Sequence, residues 1–195
     1  ERIGMAIAID RWVLYSTIKQ FCDRRDQGKV TRFFIKLSAS SIKDDTLIDW
    51  LSYQIKEKQI PPHTLNFEVK ETTAVTSLKH TKELANKLKT IKCGFVLDDF
   101  GTGTNPFQLL EHVHADYVRI ESSFMEGLAD NPQNQETIRK LAEDAGELGK
   151  LTIAQHVPDA ASLSLLWGMG VNFIQGYFLQ EPLPAMEYDF TEMSG

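Results

Sequence analysis

Two adjacent acids close an apolar run in the segment FVLDDFGTGT, residues 95–104. Asp98 and Asp99 offer carboxylate oxygens, which are the ligands that Mg²⁺ prefers, and a glycine-rich turn follows them directly. Carboxylates that hold a divalent cation can lower the pKa of a bound water and support cleavage of a phosphoester. The same residues can also form the shell of a site that binds a ligand without cleaving it.

Polar side chains close five other short apolar runs in the same way. They are Lys36 with Ser38, Glu68 with Glu71, Arg119 with Glu121, Gln155 with His156, and Gln175. The carboxyl ends of parallel strands meet at one edge of a sheet, and barrels of the TIM type place their active sites there. The six polar strand ends therefore predict one shared site.

The elements that would position these residues alternate between strands and helices. Short, almost continuous apolar runs predict strands at 33–37, 65–69, 94–97, 117–120, 151–154 and 173–174. Helical periodicity predicts helices at 8–25, 45–57, 78–88, 106–112, 135–148 and 160–167. This alternation predicts an α/β fold, either a TIM-like barrel or a doubly wound sheet. The sequence contains neither GxGxxG after a first strand nor GxxxxGK, so both common nucleotide fingerprints are absent.

Composition and charge are those of one globular domain. The 195 residues are 42% hydrophobic and 25% charged, and the formal net charge is −6. An acidic chain is not expected to bind a nucleic acid polymer through a broad basic surface, although a few local donors can hold a small anion. No apolar run reaches the ~20 residues that a membrane span needs, so no membrane insertion is expected.

Cysteines and tryptophans are expected to have structural roles. Cys22 and Cys93 lack metal-site spacing, which favours reduced, buried cysteines in a cytoplasmic protein. Trp12, Trp50 and Trp167 lie on apolar helix faces and are expected in the core.

Six segments together carry a family resemblance. They are IKLSASSI, FEVKE, DDFGTG, ADYVRIE, IAQHV and FIQGYFLQEPLP. In this order and spacing they resemble the EAL domain family, which comprises bacterial cyclic di-GMP phosphodiesterases and their inactive relatives. The resemblance implies a TIM-like (β/α)8 barrel with one antiparallel strand. The strand carrying Glu-Ala-Leu lies upstream in that family, so we expect residues 1–195 to be an N-terminally truncated EAL-like domain without a second domain.

The family's enzymes hold two divalent cations, Mg²⁺ or Mn²⁺, with carboxylates, an asparagine and water. The resemblance assigns Glu68, Asp98 and Asp99 to metal binding, Glu71 to support of the neighbouring loop, and Gln175 to the lining of the site. All five positions keep the family's residue type. Hydrolysis would require the remaining ligands as well.

Other family positions are substituted. Lys36 stands where the family has a metal-binding asparagine, and an ammonium group has no acceptor with which to coordinate a cation. Arg119 replaces a lysine that acts at the metal-bound water, and Gln155 replaces a metal-binding glutamate. Glu121 stands where aspartate is usual. The site thereby loses negative charge and gains repulsion of cations, so we expect no catalytic residues, no bound metal and no required cofactor.

Such a site can still bind cyclic di-GMP. Lys36 and Arg119 can neutralise its phosphates, unless Lys36 is an ordinary surface lysine. Gln155 and Gln175 can pair with a guanine edge, and His156 either stacks on a base or faces solvent. The expected ligand-binding residues are Gln155, Gln175, Arg119, Lys36, Ser38, Asp98, Glu68, His156 and Pro182.

The closing segment FIQGYFLQEPLP and Gln155 also resemble an inactive branch of the family, the FimX-like proteins. That branch binds cyclic di-GMP, controls type IV pili and twitching motility, and contacts a PilZ-type adaptor protein. The resemblance implies a cytoplasmic receptor that signals to protein partners. Two alternatives remain open: a metal-dependent phosphodiesterase that is active under some conditions, and an interaction scaffold that binds no nucleotide.

Overall fold

The computed structural model describes residues 2–184 and 186, which form alternating strands and helices. The strands are β1 Phe33–Lys36, β2 Leu65–Lys70, β3 Gly94–Phe100, β4 Tyr117–Ile120, β5 Leu151–Ala154 and β6 Phe173–Ile174. The α-helices are α1 Arg2–Asp26, α2 Leu47–Glu57, α3 Glu71–Thr76, α4 Leu78–Thr90, α5 Pro106–His112, α6 Pro132–Glu147 and α7 Ala160–Gly168. Short 3₁₀ helices span Ser41–Lys43, Ser122–Met125 and Leu128–Asp130.

The strands form one parallel sheet in the order β1-β2-β3-β4-β5-β6. Each strand pairs with the next one along the chain, and helices connect them. This sequential parallel order is that of part of a TIM-like barrel, so the predicted α/β fold is confirmed. The doubly wound alternative is wrong, because its strand order would reverse direction within the sheet.

Several predicted elements differ from the structure, for example helix α1, which begins at Arg2 and not at residue 8, and two of the differences lie beside the polar strand ends. Strand β3 continues past Leu97 to Phe100, so Asp98 and Asp99 lie inside the strand. Helix α3 is absent from the predicted elements, because its sequence ETTAVT is rich in β-branched residues that have low helix propensity.

Side chains along the sheet alternate between two faces. On one face, Phe67, Leu97 and Ile120 join a core that extends from Leu14 of α1 to Leu166 of α7. On the other face lies a smaller apolar cluster, which consists of Val96, Tyr117 and Ile153. The second face also carries the polar residues whose positions share its period of two, which are Lys36, Glu68, Asp98, Arg119, Gln155 and Gln175.

The tryptophan prediction is wrong for two of three residues. Trp12 is 69% exposed and Trp167 is 59% exposed, whereas Trp50 is half-buried. The buried stripe of α1 contains Leu14, and Trp12 lies two residues before it, roughly 200° around the helix.

Both cysteines are free thiols, and Cys93 is buried while Cys22 is half-buried. Burial raises the pKa of the Cys93 thiol to about 12, which keeps it protonated and unreactive at neutral pH. Over the described residues, no helix combines the length with the apolar character of a membrane-crossing segment.

Candidate functional site

The carboxyl ends of the strands bring polar side chains together on one face of the sheet. Lys36 pairs in register with Glu68, and Lys70 pairs in register with Asp98. Arg119, the penultimate residue of β4, lies on the same face. Gln155 and Gln175 directly follow β5 and β6 and complete the group, whose members are connected by hydrogen bonds and ion pairs.

Arg119 lies at the centre of this group and is only 5% exposed. One terminal nitrogen forms an ion pair with Glu68, and the other donates to Oε1 of Gln175 at 2.9 Å. Its Nε lies 3.8 Å from Oδ1 of Asp98. The guanidinium carbon lies 5.9 Å from the centre of the Phe34 ring, within cation–π range. These contacts hold a positive charge in a fixed orientation on the sheet surface.

Two lysines neutralise the adjacent aspartates, one each. Nζ of Lys36 lies 2.9 Å from Oδ2 of Asp98, and Nζ of Lys70 lies 2.7 Å from Oδ2 of Asp99. Nε2 of Gln155 donates to Oδ1 of Asp99 at 3.3 Å. Lys70 is not among the predicted site residues, although its spacing of two from Glu68 places it on the same face of β2.

A β-bulge makes the side chains of Asp98 and Asp99 point in different directions. The register between β3 and β4 shifts between Leu97 and Phe100, and Asp99 has a φ of 53°. Aspartate tolerates this left-handed conformation better than most residues, and bulges re-aim side chains next to functional sites. The bulge therefore lets Asp98 contact Lys36 while Asp99 contacts Lys70.

The local charges and burial shift several pKa values. Burial opposes ionisation of Asp99, but the hydrogen bond and charge of Lys70 outweigh it and lower the pKa of Asp99. The hydrogen bond to Asp99 raises the pKa of Lys70. Burial raises the pKa of Glu68 against the attraction of Arg119, and the charge of Asp98 adds to the rise. Asp99 and Lys70 are consequently a fully ionised pair at neutral pH.

Asp98 is buried without aligned hydrogen bonds from the described residues. Its side chain is 1% exposed. Lys36 and Arg119 both approach its oxygens, but neither contact has the geometry of a hydrogen bond. Nε of Arg119 likewise has no aligned acceptor among the described residues. A buried donor without an acceptor costs free energy, so Nε of Arg119 is suited to a polar ligand, whereas the charge of Asp98 is already balanced by Lys36 and Arg119.

A cavity of about 350 Å³ adjoins the charged group beyond β5 and β6. Gln155, His156, Gln175 and Pro182 line it, and its volume lies in the range of small-molecule sites. His156 is exposed and has a φ of 59°. The structure thus brings these four predicted residues into one pocket next to Arg119.

Two predicted residues lie outside this group. The backbone N–H of Ser38 donates to Oδ2 of Asp10 at 2.8 Å, which connects Ser38 to α1 instead of the charged residues. Glu71 is buried, and its Oε2 accepts from the N–H of Gly101 at 2.8 Å. Burial raises the pKa of Glu71, although backbone N–H groups of the loop oppose this rise. Glu71 therefore contacts the loop after the aspartate pair.

The charged residues do not fit two divalent cations. Glu68, Asp98 and Asp99 each contact a lysine or arginine, so three carboxylates face three cations. A metal ion would have to displace these ammonium and guanidinium groups before it reached the carboxylate oxygens. Within residues 2–184 and 186, no three or more His, Cys, Asp or Glu side chains are grouped as a metal site.

The sequence and the fold of this chain are similar to those of known proteins. The EAL domain model matches residues 1–182. The FimX EAL domain from Pseudomonas aeruginosa, solved bound to c-di-GMP, has a TM-score of 0.90 and 37% identity, over 96% of this chain and 75% of that chain. The Xanthomonas citri FimX EAL domain, in complex with c-diGMP, has a TM-score of 0.92 and 29% identity, over 96% of this chain and 74% of that chain.

A curated relative is an enzyme. Cyclic di-GMP phosphodiesterase PdeF of Escherichia coli K12 is 27% identical over 187 residues, which are 96% of this chain and 25% of PdeF. This chain therefore spans about a quarter of the length of that relative. Because the family model covers almost the whole sequence and the fold agrees, the chain belongs to the EAL domain family.

Proposed function

We propose that this chain is a cyclic di-GMP receptor without phosphodiesterase activity. The observation that carries the proposal is the pairing of all three carboxylates at the family's metal positions with cations of the chain itself. Lys36 on Asp98 is the clearest case, because the ammonium stands where the family's asparagine ligand is expected. Without bound metals, no water is activated for attack on the phosphodiester.

The ligand's chemistry matches the two parts of the site. Lys36 and Arg119 supply positive charge for a phosphate, and Nε of Arg119 lacks an aligned acceptor within the described part of the chain. Gln155 and Gln175 offer both donors and acceptors to a guanine edge, and His156 offers a ring for stacking. Pro182 closes the same cavity. Two FimX EAL domains of similar fold have been solved with c-di-GMP, which supports this nucleotide as the ligand.

The cellular role that we propose is the one implied by the resemblance to FimX-like proteins. The receptor would act in the cytoplasm, contact a PilZ-type adaptor protein and control type IV pili or twitching motility. The 37% identity to the FimX EAL domain of P. aeruginosa supports this branch of the family.

A second candidate function is a metal-dependent cyclic di-GMP phosphodiesterase. Glu68, Asp98 and Asp99 remain together at the strand ends, and curated relatives such as PdeF are phosphodiesterases. Activity would require Mg²⁺ or Mn²⁺ to displace the lysines from the aspartates. An interaction scaffold that binds no nucleotide is the third candidate.

Calorimetric titration of cyclic di-GMP into the full-length protein distinguishes these functions. The titration is run once with Mg²⁺ and once with a chelator, and the recovered nucleotide is analysed for linear product. We expect equal binding in both buffers and intact nucleotide. Binding that requires Mg²⁺, together with linear product, would establish the phosphodiesterase. No binding in either buffer would contradict the receptor and favour the interaction scaffold that binds no nucleotide.

The variant Arg119→Lys tests the site within the same titration. It keeps the charge but loses the forked contact to Glu68 and Gln175, so we expect affinity for cyclic di-GMP to fall roughly tenfold. Arg139→Lys is the matched control, because Arg139 pairs only with exposed Glu136 on α6 among the described residues. If both variants bound cyclic di-GMP with equal affinity, Arg119 would not contribute to binding.

A further inference from the structure

Lys70 is a charged residue of the site to which the family resemblance assigns no role. It ends β2, directly before Glu71, and its Nζ lies 2.7 Å from Oδ2 of Asp99. Its side chain is 60% exposed, as is that of Lys36. An ammonium group has three donors, so each lysine can contact its aspartate and a ligand at the same time.

The sheet register explains why each lysine contacts a different aspartate. Lys70 pairs in register with Asp98, but the β-bulge after Leu97 turns Asp99 towards it. Lys36 reaches Asp98 from the strand beyond β2. Backbone geometry therefore places two lysines at the carboxyl end of the sheet, each in an ion pair with its own aspartate.

The charge balance of the group depends on Lys70. With Lys36, Lys70 and Arg119 present, three cations match the three carboxylates. If Lys36 alone is replaced by a neutral residue, Asp99 remains paired with Lys70. A divalent cation between Asp98 and Asp99 would then still meet an ammonium group at the second carboxylate, and at short range this repulsion is strong.

We propose that Lys70, together with Lys36, contacts the phosphate of an anionic ligand and excludes divalent metals from Asp98 and Asp99. This inference rests on the proposed function for its ligand, because cyclic di-GMP supplies the phosphates. The exclusion of divalent metals depends only on the residues of this chain, so phosphate contact and metal exclusion can be tested separately.

The ligand part is tested by titrating cyclic di-GMP into full-length protein in the presence of chelator. Loss of a charge-assisted contact in Lys70→Met is expected to weaken binding roughly tenfold or more. Lys82→Met removes an equivalent charge from the exposed face of α4 and is expected to leave affinity unchanged. Unchanged affinity in Lys70→Met, with normal binding by the wild type, would overturn this part alone. Failure of the wild type to bind would overturn the proposed function and this part together.

The metal part is tested by following free Mn²⁺ by electron paramagnetic resonance during titration. The wild type, Lys36→Asn and the double variant Lys36→Asn/Lys70→Thr are compared, with circular dichroism to verify that each is folded. We expect the double variant to bind Mn²⁺ at least roughly tenfold more tightly than the single variant, because only then are both aspartates free of ammonium groups. Equal Mn²⁺ affinity of the single and double variants would overturn the exclusion role of Lys70.

Discussion

Glu71 shows how burial and hydrogen bonding compete at a single residue of this domain. Its side chain is 3% exposed, and N–H groups of Gly101, Thr102 and Gly103 point at its carboxylate. Burial disfavours the charged form and outweighs these donors, so the pKa of Glu71 is raised from its ordinary value of 4.5. The folded protein therefore binds this proton more tightly than the unfolded chain does.

The direction of this pKa change predicts a pH dependence of stability. Because the pKa is higher in the folded state, the contribution of Glu71 to the free energy of unfolding falls as pH rises from about 4.5 through the raised pKa. Glu71→Gln lacks this titration, so its stability relative to the wild type is expected to increase over that pH range and then level off.

Urea unfolding of both proteins at a series of pH values between roughly 4 and neutrality measures this difference directly. Glu68 also has a raised pKa but is present in both proteins, so its contribution cancels. A difference that stays constant or decreases with pH would contradict the assigned direction for Glu71.

At the scale of elements, the connection after β6 depends on a close approach of two backbones. A Cβ on Gly176 would overlap the backbone oxygen and nitrogen of Val157, which cannot move aside as a flexible side chain could. Gly176 follows Gln175, and Val157 follows His156. This contact therefore sets the spacing of two walls of the cavity.

Gly176→Ala is expected to displace this connection. We expect a loss of about 1–3 kcal/mol in the free energy of unfolding, as for overpacked sites, together with weaker binding of cyclic di-GMP. Gly146→Ala is the control, since its Cβ would meet nothing within 4 Å in helix α6 and alanine favours helix by about 0.5–1 kcal/mol. Chemical denaturation and calorimetry of both variants provide the measurements. Similar behaviour of the two variants would rule out the steric role of Gly176.

At the scale of the whole molecule, one buried core connects the first and last helices. Leu14 of α1 and Leu166 of α7 are each 0% exposed and belong to the same cluster. The sheet lies between them, and its strands pair in chain order. A continuous core of this kind favours unfolding as one cooperative unit.

Leu14→Ala and Leu166→Ala test this cooperativity from opposite ends of the sheet. Each substitution is expected to lower the free energy of unfolding by about 2–5 kcal/mol while the protein keeps a single transition. Trp12→Ala, at a residue 69% exposed, is expected to change it by less than about 0.5 kcal/mol. Urea unfolding is followed by far-ultraviolet circular dichroism and by fluorescence. Separate transitions, or a large effect of Trp12→Ala, would contradict this description of the core.

The sequence by itself determined the alternation of strands and helices along the chain and the edge of the sheet at which the polar residues lie. Both depend on local patterns: apolar runs of strand length, helical periodicity between them, and polar residues directly after the apolar runs, such as Asp98 and Asp99. It also determined that Lys36 brings a positive charge to a position where the family's metal ligand is expected. None of these conclusions requires knowledge of which strands pair or in what register.

Only the tertiary structure decided which charges meet. Lys36 reaches Asp98 across an intervening strand, and Lys70 reaches Asp99 because a β-bulge turns that residue towards it. The same holds for Ser38, which contacts Asp10 of a distant helix, and for Trp12, which faces away from the core. Register, bulges and helix rotation arise from contacts between residues that are far apart in the chain, so spacing along the sequence does not specify them.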